Sequence, residues 1–257
     1  MPIEGFRERM LSGELLAGTF QKTPAYEIVE VLAQSGLDFV CLDAEHSAFD
    51  RARMDACLAV ARAMDFPVLV RVGAATPQDI LQALDSGAVG IVVPHVTSAA
   101  HAAEVARWSR FGRGGRGYAG STRWAEFATR PMAELLDRSA RETVVIAQIE
   151  DVEALDAVEA IAATEGVDGL FLGPADMSVA MGHADQSSAE LEAAVARIGA
   201  AAKAAGKTYM SFVAGPERAA VWRAHGMTMF FIASEHSWMR SGASVAAEGI
   251  HRLGEQD

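Results

Sequence analysis

Three ionisable side chains crowd the end of one apolar run. In FVCLDAEHSAFD, residues 39–50, Phe39 to Leu42 read as a buried strand, and Asp43, Glu45 and His46 follow within four positions. Asp43 and His46 stand three apart across a strand-to-loop transition, where a folded loop lets the carboxylate orient the imidazole as a general base suited to neutral pH. Glu45 points elsewhere by alternation and braces either the loop or a metal-bound water. An ordinary surface histidine is the bland alternative for His46. PVLVRV sets Arg71 near the end of another strand. There its guanidinium braces a carboxylate, stabilises an enolate oxygen, or forms a salt bridge to Asp43 or Glu45.

TVVIAQIED delivers Gln148 and Glu150 with period-two spacing, hence on one face of a strand. The next apolar run leads into GPADMS and brings Asp176. Two carboxylates on neighbouring strands, with no lysine beside them, suit a hard divalent cation such as Mg²⁺ or Mn²⁺; an ion pair with an arginine is the alternative. The N–H groups of Ala175 and Asp176, at the start of a helical turn, offer a seat for a substrate carboxylate. Equally, Asp176 reads as a plain N-cap. His95, after GIVVP, is expected to be a packed strand-end histidine rather than a ligand. The glycines of GRGGRG do not lead from an apolar strand into a helix, so they read as a flexible rim rather than a phosphate loop.

Positioning these groups at one place requires a repeated scaffold. Eight short apolar runs occur, at 15–20, 38–42, 67–72, 90–94, 143–149, 169–173, 207–212 and 228–233. Between most of them lie amphipathic helical stretches such as RARMDACLAVARAM, VEALDAVEAIAA and SAELEAAVARIGAAAKAAG. The runs are continuously apolar, as parallel strands covered on both faces must be. Eight such repeats predict an α/β fold, a single (β/α)₈ TIM barrel domain over residues 1–257, whose site gathers at the C-terminal ends of its strands. A doubly wound open sheet is the competitor, but QKTPAYE after the first run carries no glycine fingerprint. Residues 110–142 read as one long irregular insertion.

The 257 residues are 51% hydrophobic, enough for a large core, and the formal charge of −12 argues against nucleic acid. Cys41 and Cys57 are the only cysteines, so a disulfide framework is not expected. Neither a leader nor a membrane span is legible, and a cytoplasmic protein is the expectation.

LDAEHS, PVLVRV, LDSGAVGIVVPHV, RGYAGSTRW, VVIAQIED and DGLFLGPADMSVAMG resemble, in order and spacing, the HpcH/HpaI-type metal-dependent pyruvate aldolases. The likeness runs from about residue 15 to about 185. It implies a class II aldolase that reversibly cleaves a 4-hydroxy-2-oxo acid to pyruvate, or a close 2-oxo acid, plus an aldehyde. By that likeness Glu150 and Asp176 hold Mg²⁺ or Mn²⁺, with Co²⁺ a third candidate, and the ion binds the pyruvate carboxylate and keto oxygen. Arg71 steadies the enolate, and His46, oriented by Asp43, acts through water on the aldol hydroxyl. Gln148 touches the pyruvate end, and the Ala175 and Asp176 amides its carboxylate. The resemblance also implies a hexamer, a trimer of dimers exchanging a C-terminal helix, with Asp85 reaching a neighbouring site. The sequence departs from the family at the pocket rim. Phe20 stands where a tryptophan is common, Gln21 and Lys22 follow it, and Ser234–Glu235–His236 replaces a Gly-x-Asp.

Three rivals remain. A Schiff-base aldolase needs a lysine at the mouth, and of Lys22, Lys203 and Lys207 only Lys22 qualifies. An acyl-CoA lyase of the citramalyl or malyl type would use the same metal site and draw on the Arg-rich 110–123 loop for the nucleotide. A non-catalytic barrel with a relict site would lack a base or a ligand, and here none is missing.

Overall fold

The computed structural model describes residues 2–255. Eight strands form a closed parallel barrel: β1 (Leu16–Gln21), β2 (Phe39–Asp43), β3 (Val68–Arg71), β4 (Gly90–Val93), β5 (Val144–Ile149), β6 (Gly169–Leu172), β7 (Thr208–Val213) and β8 (Met227–Ser234). Each pairs with the next, and β8 returns to β1. The eight expected runs all become strands, with ends shifted by a residue or two. Among the described residues no helix is long and apolar enough to cross a membrane.

Strand alternation builds two cores. Phe39, Cys41, Leu69, Val144, Ile146 and Phe171 fill the barrel interior. Their neighbours Val40, Leu42, Val70, Val145, Ala147 and Leu170 pack outward against the helices. The inward set fixes the site by continuation. After Phe39 and Cys41 comes Asp43, after Leu69 comes Arg71, and after Val144 and Ile146 comes Gln148. Polar groups are therefore delivered to the C-terminal mouth by the same period that fills the floor beneath them. Phe20, Phe39, Phe171 and Phe231 form that floor, with ring centroids 4.8–6.0 Å apart in tilted and edge-on pairs.

The helices are α1 (Phe6–Leu11), α2 (Tyr26–Ala33), α3 (Arg51–Ala63), α4 (Pro77–Ser86), α5 (Ala99–Trp108), α6 (Met132–Glu142), α7 (Val152–Asp156), α8 (Val158–Ala162), α9 (Pro174–Ala180), α10 (Ala189–Ala205), α11 (Pro216–Arg223) and α12 (Glu235–His251). Asp50, Thr76, Ser98 and Ser188 cap α3, α4, α5 and α10 by accepting a first-turn N–H. α1 was not legible in sequence; it closes the N-terminal end of the barrel by burying Phe6 and Met10 in the interior cluster.

Two expectations need correction and a third is qualified. The 110–142 stretch is not one irregular insertion, because its last third is α6, an amphipathic helix that buries Leu135. VEALDAVEAIAA breaks at Ala157 into α7 and α8, where the Asp156 carbonyl accepts from Arg197 of α10. The GRGGRG segment is a mostly exposed rim, as read, but it is anchored at one residue. Arg116 is buried between the rings of Phe111 and Trp124, 4.6 and 5.0 Å from their centroids.

Candidate active site

At the mouth, β2 and β3 present a buried ion pair. Arg71 Nε donates to Asp43 Oδ1 at 3.0 Å, its terminal nitrogen lies 2.8 Å from Oδ2, and Lys22 Nζ is 3.3 Å from the same oxygen. Burial alone would raise the Asp43 carboxyl, but Arg71, the His46 backbone N–H and Lys22 overcome it and hold the group below its ordinary value. The Arg71 guanidinium sits 4.5 Å over the Phe20 ring and also reaches Glu45 Oε2 at 3.3 Å. The salt bridge weighed in the sequence reading forms, and to both Asp43 and Glu45.

The expected Asp43–His46 dyad does not form as drawn. Asp43 Oδ1 accepts the backbone N–H of His46 at 3.1 Å, so it fixes the loop and not the ring. The reason is geometric: three residues of tight turn aim the main chain back at the carboxylate, while Arg71 and Lys22 occupy its other lone pairs. The His46 ring faces Glu45 instead, with Nε2 3.7 Å from Oε2.

On β5, Gln148 Nε2 donates to Glu150 Oε2, and the His95 backbone N–H donates to Glu150 Oε1 at 2.9 Å. Burial pushes the Glu150 carboxyl above its ordinary value, and the nearby Asp176 charge adds to this against the opposing hydrogen bonds. Asp176 is exposed in the first turn of α9. There the N–H groups of Ala175 and Asp176 have no intrahelical acceptor. A buried carboxylate beside a second one, with the Gln148 side-chain oxygen buried and without a partner among the described residues, is a donor set that a divalent cation would satisfy. Gly173 makes room for it, since a Cβ there would lie 2.8 Å from Glu150 Oε2.

A cavity of about 160 Å³ joins these groups, bounded by Lys22, His46, Arg71, Gln148, Ala175 and Asp176 above the rings of Phe20 and Phe171. The structure thus brings together every expected site residue except one. Asp85, at the end of α4, faces a separate surface cavity of about 550 Å³ beside Arg51 and Arg123, and Arg116 Nε holds its carboxylate at 3.0 Å.

Two rim features exceed the sequence reading. Glu235 is buried at the start of α12, and its carboxylate accepts the backbone N–H groups of Lys22 and Thr23 at 2.6–3.0 Å. That bond spans the barrel closure, and no local spacing signals it. His95 is not the packed histidine expected; it is largely exposed, with a left-handed φ of 53° and its ring turned toward Glu45, Glu150 and Asp151.

The model of the HpcH/HpaI aldolase/citrate lyase family matches residues 17–240. A hydroxypyruvate/pyruvate aldolase of Roseovarius nubinhibens is 34% identical over 212 residues, covering 80% of this chain and 82% of that one. A 2-keto-3-deoxy-L-rhamnonate aldolase of Escherichia coli is 33% identical over 220 residues, covering 78% and 77%. The crystal structure of a HpcH/HpaI aldolase/citrate lyase family protein from Burkholderia cenocepacia superposes with a TM-score of 0.91 at 32% identity, covering 96% of this chain and 99% of that one. Barrel, site order and sequence agree, and the chain belongs to the HpcH/HpaI aldolase/citrate lyase family.

Proposed function

We infer that the chain is a class II aldolase cleaving a 4-hydroxy-2-oxo acid to pyruvate, or a close 2-oxo acid, plus an aldehyde, and running in reverse. The observation that carries this reading is that Arg71, Gln148 and Asp176 line one cavity, with the buried Glu150 carboxylate bonded to Gln148 beside it. Glu150 and Asp176 are the proposed ligands of Mg²⁺ or Mn²⁺, with Co²⁺ a third candidate. When bound there, the cation supplies Lewis-acid charge for the enolate that C–C cleavage leaves. Arg71, locked on Phe20 and Asp43, aims fixed donors at the same developing charge. The first-turn N–H groups of α9 at Ala175 and Asp176 and the Gln148 amide orient the oxo-acid end.

Proton movement falls to His46 Nε2, working through water, with Glu45 and not Asp43 beside the ring. In cleavage it takes the proton of the 4-hydroxyl, the C3–C4 bond breaks, and its electron pair passes to the enolate. A proton returned to C3 gives the 2-oxo acid. Asp43 is reassigned as the residue that fixes Arg71 and the loop.

Against the Schiff-base rival, Lys22 lines the cavity but its Nζ is engaged with Asp43 Oδ2 at 3.3 Å. The thioester rival loses most of its nucleotide seat. Arg110 binds the Thr143 carbonyl, Arg116 is buried on Asp85, and Arg123 pairs with Asp55. The assembly proposed is a homohexamer with α12 exchanged between subunits and Asp85 serving a neighbour. In support, α12 leaves Met239, Val245 and Ile250 exposed, and Asp85 lies away from its own mouth. Sedimentation analysis checks the hexamer. A cytoplasmic setting belongs to the same reading, with Cys41 and Cys57 both free.

The test is pyruvate release from a panel of 4-hydroxy-2-oxo acids, run beside citramalyl and malyl thioesters. Turnover of the oxo acids alone is expected; turnover of the thioesters alone overturns the reading.

A further inference from the structure

The outer side of Glu150 carries a second constellation, built on His95 and Asp151, two residues that the aldolase chemistry leaves unused. His95 follows β4 in a left-handed conformation that few non-glycine residues adopt. Its backbone N–H is spent on Glu150 Oε1, and its ring Nδ1 lies 3.0 Å from Asp151 Oδ2. An imidazole whose Nδ1–H is taken by a carboxylate presents the Nε2 lone pair on its far edge, the usual support of a metal-bound histidine. That edge faces Glu45, with Nε2 3.8 Å from Oε1. The Glu45 side chain is mostly buried, and its Oε2 has no hydrogen-bond partner among the described residues, although Arg71 lies at ion-pair distance. One ligand atom from each of Glu45, His95 and Glu150 falls within 4.8 Å of the other two. Small rotations would bring such atoms onto one ion at ligand distances of about 2.0–2.2 Å. Three carboxylates, those of Glu45, Glu150 and Asp151, surround this ring, and Arg71 is already shared with Asp43.

We propose that Glu45, His95 and Glu150 form a second cation site on the rim, with His95 its nitrogen ligand and Asp151 the residue that orients the ring. One imidazole and two carboxylates favour borderline ions such as Zn²⁺ or Co²⁺ over Mg²⁺. The proposal meets the aldolase reading at Glu150, and also at Glu45, whose Oε2 lies beside His46 and Arg71; the two carboxylate oxygens of Glu150 divide between the sites. Oε1 faces His95, whereas Oε2 faces Gln148 and Gly173 on the cavity side.

The experiment is Co²⁺ binding to untagged, metal-free protein, by equilibrium dialysis for stoichiometry and X-ray absorption for imidazole scattering. Wild type, His95→Asn and Asp176→Asn are compared. Asparagine tolerates the left-handed backbone at this exposed position, so the variant removes the imidazole and leaves the fold. Expected are two Co²⁺ per chain with an imidazole signature in the wild type. In His95→Asn that signature disappears and one site weakens at least tenfold; in Asp176→Asn it persists. Undiminished binding of both ions by His95→Asn, or no imidazole scattering in the wild type, overturns the proposal. An Asp176→Asn variant that binds both ions as the wild type does would instead count against the Glu150–Asp176 pair, leaving the rim site standing.

Discussion

Gly173→Ala isolates the close approach on which the proposed cation cradle depends. Gly173 has φ −87° and ψ 90°, a backbone open to alanine, so the substitution acts through space and not through strain. The new methyl would lie 2.8 Å from Glu150 Oε2 and 2.9 Å from Glu150 Cβ. Restoring ordinary contact, from 2.8 to 3.4 Å, pushes the oxygen back by about 0.6 Å. Metal sites hold their ligand distances to within about 0.2 Å, so the carboxylate leaves bonding position unless the whole turn moves. Overpacking of this kind costs about 1–3 kcal/mol of fold stability. A comparable loss in the bound state makes Mn²⁺ binding about fivefold to about a hundredfold weaker, with about 1.4 kcal/mol per decade. The assay is Mn²⁺ titration followed by electron paramagnetic resonance, beside a denaturant melt. Gly18→Ala is the companion, because its methyl meets the Phe39 ring in the floor and not the carboxylates. It should lose stability and keep Mn²⁺ affinity in the folded fraction. A folded Gly173→Ala protein whose Mn²⁺ affinity stays within twofold of wild type refutes the reasoning.

Arg71→Lys removes the two-pronged contact to Asp43 and one fixed donor at the mouth, and kcat/KM on the best oxo acid should fall by about a hundredfold or more; steady-state kinetics checks it, and a loss under threefold contradicts the role. Asp43 is held below its ordinary value, so its ionised form contributes stability above the unfolded carboxylate pKa of about 3.9, and that contribution drains as pH falls through the lower folded value. Acid melts of Asp43→Asn should therefore be less stable at neutral pH and flatter below about pH 4 than wild type. Glu235→Gln weakens the bonds to the Lys22 and Thr23 amides and should cost about 1–3 kcal/mol in chemical denaturation.

The barrel was legible because each strand repeats one signal, a continuous apolar run between helical periods. Most of the site was legible for the same reason: Gln148 extends the inward series of Val144 and Ile146, and Arg71 that of Leu69. What failed were matters of local direction and long-range packing. Nothing in AEHS says that the turn sends the His46 N–H, and not its ring, to Asp43. The left-handed backbone at His95 comes with bonds to Glu150 and Asp151, which follow another strand. Arg116 looked like a loop cation until Phe111, Trp124 and Asp85 closed around it. α1 spans six residues, too short for its period to show, and owes its place to the hole that Phe6 and Met10 fill.

The most direct test of the central claim is pyruvate release from a 4-hydroxy-2-oxo acid after chelation, after Mg²⁺ or Mn²⁺ is restored, and in Glu150→Ala. The account predicts activity that vanishes with chelator, returns with the ion, and stays absent in the variant. Activity that survives chelation and is trapped on Lys22 by borohydride would contradict it.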